Sequence, residues 1–450
     1  MARIRRLFIA NRGEIAVRIL RTARDLGIQT VLGTSEIDRT SLPARLADRA
    51  VCLGPSPARD SYLKVETVVQ AALGTGCDAL HPGYGFLSEN RALAEACIRA
   101  GITFIGPSPD NLAAVGDKLT AKTHARSAQV PLVPGGDART LAEAELVAAR
   151  IGYPLLIKAV AGGGGKGMKR VDSAQDLSAL FDLTRAEAHA AFGDDRVYLE
   201  RFVTTGRHVE VQILSDGDTV LHAGERDCSV QRRYQKVIEE APAPGLSPAL
   251  RQGLLDAAVR FARHIGYRSL GTVEFLVDVL REEFYFLEMN ARIQVEHPVT
   301  EAVTGLDLIA QQIAIAEGKP LATQGIAMSG HAIELRLNAE DVARDFMPSP
   351  GRIKLAWFPD LPGLRVDTFL ETGEMIPPHY DSMVAKVIAH GASRADAIAT
   401  MQRAMALIRI EGITTNAALH RAILADPAFH AGGVDTTFLP QFLSNFVGIS

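Results

Sequence analysis

The sequence predicts a multidomain protein that is α/β at its start and α+β thereafter. Three observations predict it. The length of 450 residues exceeds what one hydrophobic core organises, short apolar strands alternate with helical spacing over the first ~110 residues, and the pattern changes to period two from His208 onward. Hydrophobic residues make up 47% of the chain and charged residues 22%, an ordinary globular balance that leaves no room for a long disordered segment.

Leu7 to Ala10 reads as a short strand. Gly13 opens a helix with Ile15, Ile19, Leu20, Ala23 and Leu26 at helical spacing, Gly27 closes it, and Gln29 to Leu32 reads as strand again. That is a parallel βαβ unit. Cys77 to Leu80 and Thr103 to Gly106 read as strands flanking a helix from Arg91 to Ala100, which extends the unit into an open parallel sheet. Asn11-Arg12-Gly13-Glu14 stands where a G-x-G-x-x-G fingerprint would follow the first strand, so NAD binding is disfavoured.

Pro131, Pro134, Gly135 and Gly136 punctuate a boundary. A helical segment then leads to the strand Pro154 to Ala159, the glycine run Gly162 to Gly167 and a further strand, the pattern of a small inserted lid. From His208, the residues Val209, Val211 and Ile213 fall on one face and His208, Glu210 and Gln212 on the other. Thr272 to Val279, Phe284 to Asn290 and His331 to Asn338 repeat that alternation with helices between them, so antiparallel pairing is expected.

A formal net charge of -4 gives no basic footprint for nucleic acid or an anionic membrane. The apolar run after the basic Met1 to Arg6 is too short for a signal peptide, and no stretch approaches a membrane span, so a cytoplasmic location is expected. Cys52, Cys77, Cys97 and Cys228 lack metal or disulfide spacing, and each reads as a small buried core residue.

The chemistry concentrates in two places. The run Gly162-Gly163-Gly164-Gly165-Lys166-Gly167 lets the backbone approach a polyphosphate, and it is not a Walker A loop because no Ser or Thr follows the Lys. Lys158, inside Leu155 to Lys158, reads as an inward lysine meeting a phosphate, the alternative being an edge-strand lysine that blocks aggregation. Further on, a turn centred near Arg281 places Glu274 opposite Glu288, and Asn290 shares the face of Glu288. An all-oxygen set of this kind suits Mg²⁺ or Mn²⁺ bridging ATP phosphates, whereas a solvated strand face is the plainer alternative. If the strand stays extended, Asn290, Arg292, Gln294 and Glu296 lie on one side. Arg292 would then grip a planar oxyanion and Glu296 would take its proton, with an Arg292 to Glu296 surface ion pair as the alternative.

These residues carry a family resemblance. The segments Ile9 to Ile15 (IANRGEI), His81 to Asn90 (HPGYGFLSEN), Gly162 to Met168, Gln231 to Pro244, Glu288 to Thr300 (EMNARIQVEHPVT) and Tyr380 to Lys386 (YDSMVAK) make the chain similar, over nearly its whole length, to the biotin carboxylase component of biotin-dependent carboxylases in the ATP-grasp superfamily. The resemblance implies a Rossmann-like, pre-ATP-grasp domain over 1–113, an ATP-grasp domain over 114–325 with its lid at about 131–203, and a C-terminal antiparallel-sheet domain over 326–445. It implies that Lys118, Lys158, Gly164, Gly165, His208 and Gln231 contact ATP, with Glu200, Arg201, Phe202 and Val203 lining the adenine pocket. Glu274, Glu288 and Asn290 would hold two Mg²⁺ or Mn²⁺ ions. Lys236, Arg292, Gln294 and Val295 would bind bicarbonate, Glu296 would deprotonate it, and Arg336 would stabilise the enolate of the biotin ureido ring. The family usually has His or Asn at the position of Tyr234, whose phenol can contact ATP by hydrogen bonding but brings no positive charge near pH 7.

The implied activity is ATP-dependent carboxylation of carrier-borne biotin by bicarbonate through carboxyphosphate. No Ala-Met-Lys-Met biotinylation sequence occurs, so the biotin is expected on a separate carrier protein, with a carboxyltransferase subunit and a homodimer as further expected partners. Lys166 resembles the acyl-CoA branch, and an acceptor of the acetyl-CoA type is expected, with propionyl-CoA, methylcrotonyl-CoA, pyruvate or urea as the alternatives. The rival activity is that of another ATP-grasp ligase forming an acyl phosphate.

Overall fold

The computed structural model describes residues 3–159, 168–192, 194–322 and 325–446. The first sheet is parallel and five-stranded, in the spatial order Arg49–Gly54, Gln29–Ser35, Arg6–Ile9, Ala79–His81, Thr103–Phe104. The helix Gly13–Asp25 packs Ile15, Ala16, Ile19, Leu20 and Ala23 into the core, as their spacing predicts. The strand Arg49–Gly54 and the helix Val65–Gly74 are additions to the sequence reading. That strand is an edge, and its apolar run Ala50 to Leu53 is mostly exposed or partly exposed, with Leu53 alone buried. Cys52 lies on it and is exposed, which corrects the expectation of four buried cysteines; Cys77, Cys97 and Cys228 are buried.

A second, four-stranded antiparallel sheet orders Gly135–Ala138, Val197–Arg201, Leu155–Ala159 and Met168–Val171. Leu155, Ile157, Val197 and Leu199 turn to one core with Phe181 of the helix Ala174–Phe192. Gly162 to Gly167, with Gly164 and Gly165, lies outside the described residues.

The third sheet has eight antiparallel strands and holds the site. Its order is Glu283–Asn290, Ser269–Asp278, Gly206–Ser215, Val220–Arg232, Gln235–Ala241, His331–Asn338, Met383–Gly391, Leu364–Thr368. Ile238 pairs with Leu335, so the sheet runs unbroken into the C-terminal part of the chain. Val209, Val211 and Ile213 pack with Phe261 of the helix Pro248–His264. On the opposite face, Glu210 and Gln212 are also fully buried. Period two separates the faces, but it does not say that the polar one lies open to water.

That polar face is covered because the chain does not stay extended after Asn290. It turns, and the helix His297–Thr304 starts with Glu296 as its N-cap. Proline at the first helical turn has no N–H to lose and its fixed φ suits a helix start, so Pro298 ends the extended run that sequence alternation implied.

Buried imidazoles tie the layers. Nε2 of His81 is 3.2 Å from Oε1 of Gln312, and Nδ1 accepts from the Gly83 N–H at 3.0 Å. Both nitrogens are thus committed to the neutral ring, and burial pulls its pKa from 6.5 to about 4. The unfolded chain takes the proton first, so this contribution of about 3 kcal/mol is complete above pH 6.5 and is lost as pH falls through 4. Thermal melts between those limits should show a fall in midpoint towards acid that His81→Gln flattens.

Candidate active site

The strand pair that forms the edge of the large sheet builds the first half of the site. Antiparallel register sets Glu274 directly opposite Glu288 and Thr272 opposite Asn290. Glu274, Glu288 and Asn290 face a cavity of about 590 Å³ where the first layer meets the large sheet and its C-terminal part. Lys236, Arg292, Gln294, Val295, Glu296 and Arg336 also line it, as do His208 and Tyr234. The bend at 291–296 therefore delivers Gln294 and Glu296 to the place that an extended strand was expected to reach.

Lys236 is the electrostatic centre. Its ammonium donates to Glu210 Oε2 at 2.6 Å, Glu296 Oε1 at 2.6 Å and Glu274 Oε1 at 3.0 Å, which uses all three of its protons. Burial alone would raise the Glu274 and Glu296 carboxyls, but charge outweighs it. Lys236 and His208 hold Glu274 well below the ordinary carboxylate range, and Lys236, Arg336 and Arg226 do the same for Glu296. Arg336 donates to Glu239 Oε1 through Nε at 2.6 Å and to Glu296 Oε2 at 3.0 Å. Both Glu296 oxygens therefore accept from cations.

Glu288 shifts the other way from Glu274 and Glu296. Burial and the neighbouring Glu274 charge raise its pKa, with Lys118 Nζ 4.0 Å away as partial compensation. Two carboxylates and the carboxamide oxygen of Asn290 on adjoining strands are hard oxygen donors, and a divalent cation would remove the repulsion that Glu288 carries. The donor set fits Mg²⁺ or Mn²⁺.

Arg292 is held at its base by the first layer: Nε donates to Glu89 Oε2 at 3.0 Å and Nη2 to Asn290 Oδ1 at 2.8 Å. Its partner is thus Glu89, and the alternative of an Arg292 to Glu296 ion pair is not realised. His208 Nδ1 lies 2.8 Å from Gln231 Nε2, and its Nε2 stands 3.0 Å from Glu274 Oε2. Tyr234 is 81% exposed at the tip of the turn that joins Val220–Arg232 to Gln235–Ala241. Both Arg233 and Tyr234 have left-handed φ values there, of 48° and 68°, an arrangement that asparagine and glycine ordinarily supply.

The remaining predicted residues sit on the four-stranded sheet and its exit. Lys158 pairs with Glu200, which Lys122 also approaches at 3.4 Å, so the lysine and the acid expected around the nucleotide hold each other. Arg201 donates to Tyr285 Oη at 3.1 Å, Phe202 lies under the Arg170 guanidinium, and Val203 is buried beside Val133 and Tyr285.

Several site residues escaped the sequence reading. Arg226 is fully buried and donates to Glu210 at 2.6 Å, Gln212 at 2.8 Å and Gln294 Oε1 at 2.8 Å, which turns the Gln294 amide N–H to Glu274 Oε1 at 2.8 Å. Glu210, Glu239 and Glu89 anchor Lys236, Arg336 and Arg292 in the same way. The available signal was a charge on a strand of otherwise apolar alternation, as at Glu210.

Family models match most of the chain. Residues 3–112 match the biotin carboxylase N-terminal domain, 117–324 the ATP-binding domain of the carbamoyl-phosphate synthase L chain, and 334–441 the biotin carboxylase C-terminal domain. Biotin carboxylase 1 of Bacillus subtilis is 48% identical over 445 residues, covering 98% of this chain and 99% of that protein. Biotin carboxylase of Pseudomonas aeruginosa is 48% identical over 446 residues with the same coverage, 98% and 99%. The biotin carboxylase–βγ-ATP complex from Campylobacter jejuni superposes with a TM-score of 0.89 at 42% identity, covering 97% of this chain and 99% of that one. The bicarbonate-bound biotin carboxylase domain of a thermophilic 2-oxoglutarate carboxylase superposes with a TM-score of 0.93 at 40% identity, covering 98% of each chain.

Proposed function

The chain belongs to the biotin carboxylase family, and we propose on that premise how its own residues carry out the ATP-dependent carboxylation of biotin. The observation that carries the reading is the meeting, in one cavity, of an oxygen donor set for a divalent ion with a base whose two oxygens are both held by cations.

Bicarbonate enters beside Arg292 and Gln294, and Glu296 takes its hydroxyl proton. The freed oxygen attacks the γ-phosphorus of ATP, the bond to the β-phosphate oxygen breaks, and ADP and carboxyphosphate result. Glu274, Glu288 and Asn290 would hold the divalent ions, which neutralise charge on the ATP phosphates when bound. Lys118 and Lys158 add positive charge on the nucleotide side once Glu200 releases Lys158. Carboxyphosphate gives CO₂ and phosphate, the phosphate removes the N1′ proton of biotin, and N1′ captures CO₂ while Arg336 faces the enolate oxygen. A separate biotinylated carrier delivers the biotin, and a carboxyltransferase passes the carboxyl group to an acceptor, of which acetyl-CoA is the first to assay. A homodimer is the proposed assembly.

The test is ADP release that requires bicarbonate and rises with free biotin. An acyl-phosphate ligase of another kind would not respond to biotin. Arg336→Met should lower carboxybiotin formation by about 10²–10³, the usual effect of one lost oxyanion donor, while bicarbonate-dependent ADP release without biotin persists. Parallel assay of ADP and carboxybiotin checks this, and an equal loss of both would remove Arg336 from the biotin step.

A further inference from the structure

The mechanism above gives no chemical step to three sequence segments: Ile9 to Ile15, His81 to Asn90, of which only Glu89 has been used, and Tyr380 to Lys386. They converge behind the turn that carries Gln294, Val295 and Glu296. Lys386, on the strand Met383–Gly391, is fully buried, and its Nζ donates to the Val295 carbonyl at 2.8 Å. The same ammonium lies 3.2 Å from Glu14 Oε2 and 4.0 Å from Asp367 Oδ2. Glu14 stands in the first turn of Gly13–Asp25 and accepts from the Tyr84 hydroxyl.

One peptide earlier, His297 Nδ1 is 2.8 Å from the Gln294 carbonyl. The His297 ring is fully buried. Burial and the charges of Lys386, Arg18 and Arg365 hold its pKa well below the imidazole range. A neutral ring has one N–H, and a carbonyl can only accept, so the proton is on Nδ1.

A planar trans peptide aims its N–H opposite to its C=O. Fixing the carbonyls of Gln294 and Val295 therefore fixes the N–H groups of Val295 and Glu296, and with them the direction in which the Glu296 side chain leaves the turn. A fully buried lysine is costly to keep, and an apolar residue would fill the same core. What a lysine adds at this place is a donor for one carbonyl.

We propose that Lys386, with Glu14 as its counter-ion, and His297 are positioning residues that lock two consecutive peptide groups of the Gln294–Glu296 turn in the orientation that receives bicarbonate. This rests on the function proposed above. None of the three touches the reacting atoms.

The test separates positioning from general stability. Lys386→Met and His297→Leu should each raise the KM for bicarbonate by about tenfold or more, the effect of a lost hydrogen bond at a binding turn, with the KM for ATP held within about twofold. His297→Asn, whose amide N–H replaces Nδ1–H, should restore the bicarbonate KM. Equal behaviour of His297→Leu and His297→Asn, an unchanged bicarbonate KM, or a parallel rise in the KM for ATP would overturn the proposal. If Lys386→Met does not accumulate folded, the His297 pair decides the matter alone. A wild-type chain with no bicarbonate-dependent ADP release would instead overturn the functional reading itself, before any variant is compared.

Discussion

Glu296→Gln is expected to lower bicarbonate-dependent ADP release by about 10²–10⁴ while the KM for ATP changes little, because that range is what a positioned general base contributes. The substitution keeps shape but removes the negative charge and the proton acceptor, and it turns an amide N–H toward one of the cations that the carboxylate accepts from. Glu296 Oε1 accepts from Lys236 at 2.6 Å and Oε2 from Arg336 at 3.0 Å, so the carboxylate is ionised before bicarbonate arrives. Its pKa lies well below the ordinary range, so any stability from its ionisation is present above the unfolded pKa and is lost only as pH falls through the folded one. An acid limb of kcat near neutrality must therefore come from another group. Steady-state assay of ADP at saturating ATP checks the prediction, and a glutamine variant with wild-type turnover would place the base elsewhere.

The parts of this site legible in the sequence are those set by local geometry. Glu274 opposite Glu288 follows from strand period and one short turn, and the structure gives that register. The condition that the strand stays extended from Asn290 to Glu296 is not met, and Pro298 is the residue in the sequence that marks the helix start. Arg226, Glu239 and Glu89 were not legible, because each acts through a partner brought near by long-range pairing: Arg226 reaches Gln294, Glu239 holds Arg336, and Glu89 crosses from the first layer to Arg292. A sequence shows that such charges exist; only packing shows which cation each one anchors. The same holds for the eight-stranded sheet, whose continuity depends on the pairing of Ile238 with Leu335 across intervening helices and the strands Ser269–Asp278 and Glu283–Asn290.

Lys236→Met tests the electrostatic centre and should cost about 3–5 kcal/mol of stability near neutral pH, the range for stranding one side of a buried ion pair. Methionine fills the space of the lysine stem but leaves Glu210, Glu274 and Glu296 facing one another, with Arg226, His208 and Arg336 as their remaining cationic partners among the described residues. In the wild type, Lys236 helps hold Glu274 and Glu296 below the ordinary range, so their contribution is complete above the unfolded pKa and is lost only as pH falls through the folded one. Without the ammonium, burial dominates and raises these carboxyls; a raised carboxyl contributes stability below its unfolded pKa and loses it as pH rises through the folded one. The gap between variant and wild type should therefore be widest in mild alkali and should narrow as pH falls towards 5. Glu239, pushed up to about 7 by burial, titrates in both proteins and largely cancels in the difference. Urea midpoints across that interval measure the gap. A gap independent of pH would mean that Lys236 acts by packing, and its three carboxylate contacts would then not be what organises the site.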